Sequence, residues 1–157
     1  MPRLLIVAAL LLTACPSSSS QNAGSKPVAP NQHLKLIPAP YTLDAVPVVK
    51  AELERSQAAG RRLIVYVGAP WCEPCRHFHE AAEKGQLDAD FGDVDLLVFD
   101  ADADAERLLL AGYESRYIPL LVVPGPDGRA TDKHMEGSSK VDTLADMTPR
   151  LKQLLGR

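Results

Sequence analysis

The chain has 157 residues, 46% of them hydrophobic, and a formal net charge of −3. That suits one domain with a real core. The mild charge and the absence of a long basic block give no support for nucleic-acid binding, and the three cysteines, Cys15, Cys72 and Cys75, do not make a disulfide framework.

The chain opens like a targeting segment. Met1-Pro2-Arg3 is a short positive start, residues 4–12 are an apolar core of nine, and small residues follow. This is signal-peptide anatomy, since a membrane-spanning helix takes about 20 apolar residues. Leu12-Thr13-Ala14-Cys15 resembles a bacterial lipobox. That resemblance implies loss of residues 1–14 as a signal peptide and a lipid on the sulfur of Cys15. The alternative is an ordinary secretory signal that happens to contain a cysteine. Residues 15–40 then read as a lipidated cysteine followed by a flexible tether. They hold Ser17 to Ser20, several prolines and no aromatic residue, too little to offset the entropy of ordering. His33, inside this stretch, reads as a solvated loop histidine. The folded domain is expected over residues 41–157.

Asp44 suits the N-cap of a helix starting near 45 or 46 and running to Gly60, with Val46, Val49, Leu53 and Ala58 as a loose apolar face. Arg61-Arg62 reads as a solvated strand entrance. Residues 63–67 are an apolar, β-branched run, which predicts a buried strand. Gly68-Ala69-Pro70 leads from it into Trp71-Cys72-Glu73-Pro74-Cys75. Helical spacing returns over residues 73–84, with Phe78, Ala81 and Ala82 on one side. The two cysteines therefore sit at a strand-to-helix junction, Cys72 just before the first turn. Two intervening residues suit a small, reactive disulfide. The unpaired N–H groups and positive dipole end of the helix favour thiolate over thiol at Cys72. Pro74 fits the first turn, where a missing N–H costs nothing.

His77 and His79 invite a metal site built with the cysteine pair. Two residues apart on a helix, they point about 200° away from each other and cannot both ligate. A structural zinc wants four ligands, and there is no second cysteine pair. Both are read as surface histidines, and Phe78 as core. Asp88, Asp90, Asp93 and Asp95 lead into a strand over 94–99. The alternating Asp100, Asp102 and Asp104 suggest a calcium loop, but its sixth and twelfth positions are Ala105 and Ala111 instead of glycine and glutamate. A solvated loop and helix cap is the better reading. A short helix over 105–112 offers Leu108, Leu109 and Ala111 for packing. Residues 120–123 and 129–136 read as an antiparallel hairpin around Asp127-Gly128. Ser138 or Ser139 is expected to cap a last helix carrying Val141, Leu144, Met147, Leu151 and Leu154, with Pro149 a place for a kink. His134 reads as structural or exposed.

Trp71-Cys72-Glu73-Pro74-Cys75 after an apolar strand, with Tyr117-Ile118-Pro119 before another, resembles the active site of thioredoxin-like proteins. The likeness covers roughly residues 44–155, and Gly137 falls where that family has a glycine after its last strand. The run Trp-Cys-x-x-Cys-Arg-x-Phe is most similar to the C-terminal domain of the DsbD thiol–disulfide transporter and its single-domain relatives. The resemblance implies an α/β fold, a central mixed sheet with helices on both faces. It implies thiol–disulfide exchange on protein disulfides in the bacterial cell envelope, in the direction of reduction. Cys72 would be the nucleophile and Cys75 the resolving thiol. Trp71 and Pro119 would frame the disulfide, the backbone at Ile118 would pair with an extended substrate chain, and Ile118–Pro119 would be cis. Neither a dissociable cofactor nor a metal is implied. No apolar run of spanning length follows the signal, so a separate membrane thiol–disulfide donor would supply electrons. One departure stands out. Many thioredoxins carry a buried aspartate at the position of Tyr66 to assist proton transfer to the second cysteine, and here a water or another carboxylate would have to serve. Competing readings are a copper metallochaperone using Cys72/Cys75, a binding module with a structural disulfide, and a peroxidase. The last is weak, because the mature domain has no other candidate cysteine.

Overall fold

The apolar run over residues 63–67 lies inside strand β2 (Arg62–Gly68), at the centre of a five-stranded sheet. The computed structural model describes residues 32–137 and 143–157. In chain order the elements around β2 are β1 (Lys35–Pro38), α1 (Ala45–Ala58), α2 (Glu73–Glu83), α3 (Asp88–Phe91) and β3 (Val94–Asp100). There follow α4 (Ala105–Ala111), β4 (Leu120–Val122), β5 (His134–Glu136) and α5 (Leu144–Leu154). The sheet order is β1-β3-β2-β4-β5. Strands β1, β3 and β2 are parallel, and β4 runs antiparallel to β2 and to β5.

Strand β2 is apolar and buried from Leu63 onward because both its faces are covered. Ile64 and Tyr66 point to one side, where Phe78, Phe91, Met147 and Leu151 pack. Leu63, Val65 and Val67 point to the other, against Val49, Leu108 and Tyr113. The expected thioredoxin-like α/β fold, a mixed sheet with helices on both faces, is what the chain forms. Asp44 caps α1 by accepting from Val46 N, and Gly112 ends α4 with a left-handed φ of 84°.

Several expectations change. Residues 35–38 belong to the sheet, paired with β3 from Lys35↔Asp95 to Pro38↔Val98, so the tether ends before residue 35 and the folded part begins earlier than 41. His33 stays exposed, but its Nδ1 lies 2.5 Å from Asp88 Oδ2, and its carbonyl accepts from Arg61. Arg61 is no solvated entrance. It is buried, with Nε donating to Asp95 Oδ1 at 2.7 Å and the other nitrogens donating to the carbonyls of Gly92, His33 and Val94. Ser56 Oγ donates to the second Asp95 oxygen at 2.8 Å. A buried guanidinium is tolerable only with this degree of pairing.

Asp104 is not solvated either. It is buried against Arg107 at 2.8 Å, and Arg107 also donates to Pro40 O and lies over the Phe99 ring. On α1 the inward face includes Glu52 and Ser56, while Ala58 is exposed. On α4 Leu108 and Ala111 are buried but Leu109 is 56% exposed. Strand β5 starts only at His134, because Pro124 and Pro126 lack donors and the intervening loop turns at Gly128, whose φ is 85°. The last helix is capped by Thr143, reciprocally with Asp146, instead of by a serine further back, and Pro149 lies inside it. Ser138, Ser139 and Val141 lie outside the described residues, as do Cys15 and the rest of residues 1–31, over which the signal peptide and most of the tether are expected.

Candidate functional site

Strand β2 ends at Gly68, and Ala69-Pro70-Trp71 carries the chain from the end of the strand into α2. Cys72 is the N-cap of α2, and its Sγ accepts from Cys75 N at 3.2 Å. Pro74 stands in the first turn, where no backbone donor is needed. Cys72 and Cys75 are joined as a disulfide with Cα atoms 5.2 Å apart, and they are 5% and 3% exposed. In the dithiol form the same N–H and the helix dipole favour a thiolate at Cys72.

The antiparallel pairing of β4 with β2 sets Leu120 opposite Val67, which brings the segment before β4 alongside the end of β2. The Ile118–Pro119 peptide bond is cis. Gly137 N donates to Pro119 O at 2.8 Å, and a Cβ on Gly137 would come within 2.4 Å of Ile118 O. This glycine therefore keeps β5 close to the proline loop, a close approach that only a missing side chain allows. An apolar cleft of about 260 Å³ lies beside Ile118, lined by Val67, Leu108, Leu109 and Tyr113. Trp71 is 69% exposed and donates from Nε1 to Asp102 Oδ2 at 2.6 Å.

Behind the disulfide stands Tyr66, fully buried and stacked on Phe78 at 5.7 Å. Burial pushes its phenol well above the ordinary value. Its hydroxyl is 3.5 Å from Cys75 O, and a Cβ at Gly68 would lie 2.8 Å from its ring. His77 is exposed, whereas His79 is half-buried with its ring 4.8 Å from that of Tyr66, so the surface reading holds for His77 and not for His79. Among the described residues no three His, Cys, Asp or Glu side chains gather as a metal group would.

The model of the family described as Thioredoxin matches residues 45–149. The chain belongs to the thioredoxin family. No curated protein matches it. Among similar solved structures is thioredoxin O1 from Arabidopsis thaliana in the oxidized state, 15% identical with a TM-score of 0.47, covering 76% of this chain and 96% of that one. Another is thioredoxin O2 from the same plant, also oxidized, 19% identical with a TM-score of 0.43, covering 79% of this chain and 96% of that one. A thioredoxin domain with Cys72 and Cys75 at disulfide distance supports thiol–disulfide oxidoreductase activity, and such domains act on disulfides of proteins.

Of the residues singled out in the sequence, the fold brings Trp71, Cys72, Pro74, Cys75, Ile118 and Pro119 to one end of the sheet, where β2 finishes and β4 begins. It adds Asp102 and His79, read from the sequence as a solvated loop residue and a surface histidine, and Gly137, which the sequence placed only after the last strand. Gly137 had a signal, its place after the last strand. Asp102 had none, because nothing local connects an acidic turn to a tryptophan 31 positions earlier.

Proposed function

We propose that this chain is a protein-disulfide reductase of the bacterial cell envelope, held at a membrane by a lipid on Cys15. The observation that carries the exchange chemistry is the Cys72–Cys75 pair at the start of α2. Cys72, as thiolate, attacks one sulfur of a substrate disulfide. A mixed disulfide forms, and the substrate's other sulfur leaves as a thiolate that takes up a proton. Cys75 then attacks Cys72 Sγ, the second substrate thiolate departs, and the Cys72–Cys75 bridge remains. Two electrons have passed to the substrate. Trp71 and Pro119 frame the sulfurs, and the backbone at Ile118 aligns the substrate chain over the adjoining apolar cleft. A membrane thiol–disulfide donor returns the pair to the dithiol.

Three features of the chain support the reducing direction. Pro74 ahead of Cys75 is like thioredoxin, whereas strongly oxidising relatives often carry a histidine between the cysteines. Glu73 in the first turn works against an extreme Cys72 thiolate, and a very stable thiolate is what makes a disulfide strongly oxidising. The likeness to the C-terminal domain of DsbD also points to a reducing branch. Equilibration of the Cys72/Cys75 pair with glutathione or dithiothreitol buffers measures the potential. A value near thioredoxin's, roughly −270 mV, is expected, and one near −120 mV would make the protein a disulfide donor instead. Partners are to be trapped with Cys75→Ser, whose mixed disulfide has no resolving thiol.

A further inference from the structure

Cys75, His79 and Glu83 follow one another on α2 at four-residue steps, so they share one face of the helix. That face borders a cavity of about 550 Å³ whose opposite walls include Tyr66, Asp100 and Asp104. His79 Nε2 is buried and has no hydrogen-bond partner, the only such side-chain nitrogen or oxygen among the described residues. Leaving a buried ring nitrogen unpaired costs free energy, and the adjoining cavity, which His79 helps to line, has room for water and charged side chains on its walls to hold it.

The other groups around this cavity are committed. The Tyr66 hydroxyl faces Cys75 O, and burial keeps it protonated, so it cannot act as a base near neutral pH. Asp104 is engaged by Arg107 and by Asp100 N, and Asp100 accepts from Asp102 N and Ala103 N. Glu80 is held by Arg76 and Lys84. Glu83 lies beyond His79 from Cys75 and draws the imidazole toward the charged form, but burial outweighs it and holds the His79 pKa below the ordinary histidine value. The ring is therefore neutral near pH 7, with one nitrogen able to accept a proton.

We propose that His79 is the proton acceptor for Cys75, filling through cavity water the role that the resemblance assigns to an aspartate at the position of Tyr66. The proposal rests on the exchange reading above. In the mixed disulfide, Cys75 carries its thiol proton. That proton passes by way of water to the imidazole, and the Cys75 thiolate attacks Cys72 Sγ. The Cys72–Cys75 bond forms as the bond between Cys72 and the substrate sulfur breaks. The departing thiolate keeps that electron pair and is protonated by the imidazolium or by solvent, which returns His79 to neutral. When the disulfide is reduced again, the neutral ring takes up a proton from the incoming donor thiol or from solvent and passes it by way of water to the Cys75 thiolate.

The test uses the reduced full chain and dithionitrobenzoate, a small aryl disulfide whose thiolate product is coloured. The first coloured equivalent reports attack by Cys72. The second, independent of reagent concentration, reports resolution by Cys75. In wild type the second phase is expected to accelerate with pH through an inflection below the ordinary histidine value of about 6.5. In His79→Gln it should slow at least about tenfold at pH 7 and lose that inflection, with the first phase unchanged. His77→Gln, an exposed neighbour on the same helix, should leave both phases alone. A His79→Gln protein whose second phase stays within about twofold of wild type and keeps its pH profile would overturn the proposal. Equal slowing of both phases would overturn it too, by giving His79 a merely structural part. Insulin reduction is run alongside. A wild-type chain that shows both coloured phases but leaves insulin intact would overturn the protein-substrate reading, while the second phase still judges His79.

Discussion

Replacing Asp95 with alanine should destabilise the domain without touching its chemistry. Asp95 is 4% exposed, accepts from Arg61 Nε at 2.7 Å and from Ser56 Oγ at 2.8 Å, and sits near the start of β3, at the end of the sheet away from the disulfide. Its loss strands a buried guanidinium charge and a buried hydroxyl. Breaking a buried pair by removing one partner costs about 3–5 kcal/mol. Arg61 would keep its bonds to the carbonyls of Gly92, His33 and Val94, which argues for the lower end, about 3 kcal/mol. Against a total stability of about 5–15 kcal/mol that is a large fraction. For a domain of this size it lowers Tm by about 10–15 °C. Thermal unfolding followed by circular dichroism measures it, with insulin reduction at low temperature as the control for an intact site. The double variant Arg61→Met/Asp95→Leu should recover most of the loss, because it removes the charge as well as its partner. An Asp95→Ala protein that melts within about 3 °C of wild type would refute the claim that this network holds the lower end of the sheet.

Gly137→Ala should impair turnover more than folding, since its Cβ would push on the Ile118 carbonyl at 2.4 Å and displace the proline loop; insulin kinetics and a melting curve separate the two effects. Glu73→Ala should lower the pKa of the reduced Cys72 thiol by less than about one pH unit, because it removes a like charge beside the thiolate at an exposed position. Thiolate absorbance titration checks this, and equal midpoints would mean the carboxylate points away into solvent. The intact mass of protein from a bacterial envelope should show a lipid on Cys15 and loss of residues 1–14. An unlipidated mass would make the protein a free periplasmic one.

Where local residues carry their own structural instructions, the chain was legible. The apolar, β-branched run over residues 63–67 reads as a buried strand and is one, and Trp71 to Cys75 pointed to the helix start and the redox pair together. Ile118-Pro119 was legible through its likeness to a family segment, not through its own propensity. Other parts depend on partners far away in sequence. Arg61 beside Arg62 reads as exposed until Asp95, 34 positions later, supplies its counter-charge. Strand β1 is only four residues long and lies among prolines at the end of a low-complexity stretch, so its pairing with β3 is a tertiary fact. His79 read as exposed because helical spacing shows which residues share a face but not what lies across from it, and here that is Tyr66.

The most direct test of the central claim is reduction of insulin with dithiothreitol as electron source, comparing wild type with Cys72→Ser. Wild type is expected to precipitate the insulin B chain rapidly, and Cys72→Ser to give the dithiothreitol background alone. Equal activity in the two proteins, or none in either, would contradict that claim and leave the Cys72–Cys75 bridge a structural bond.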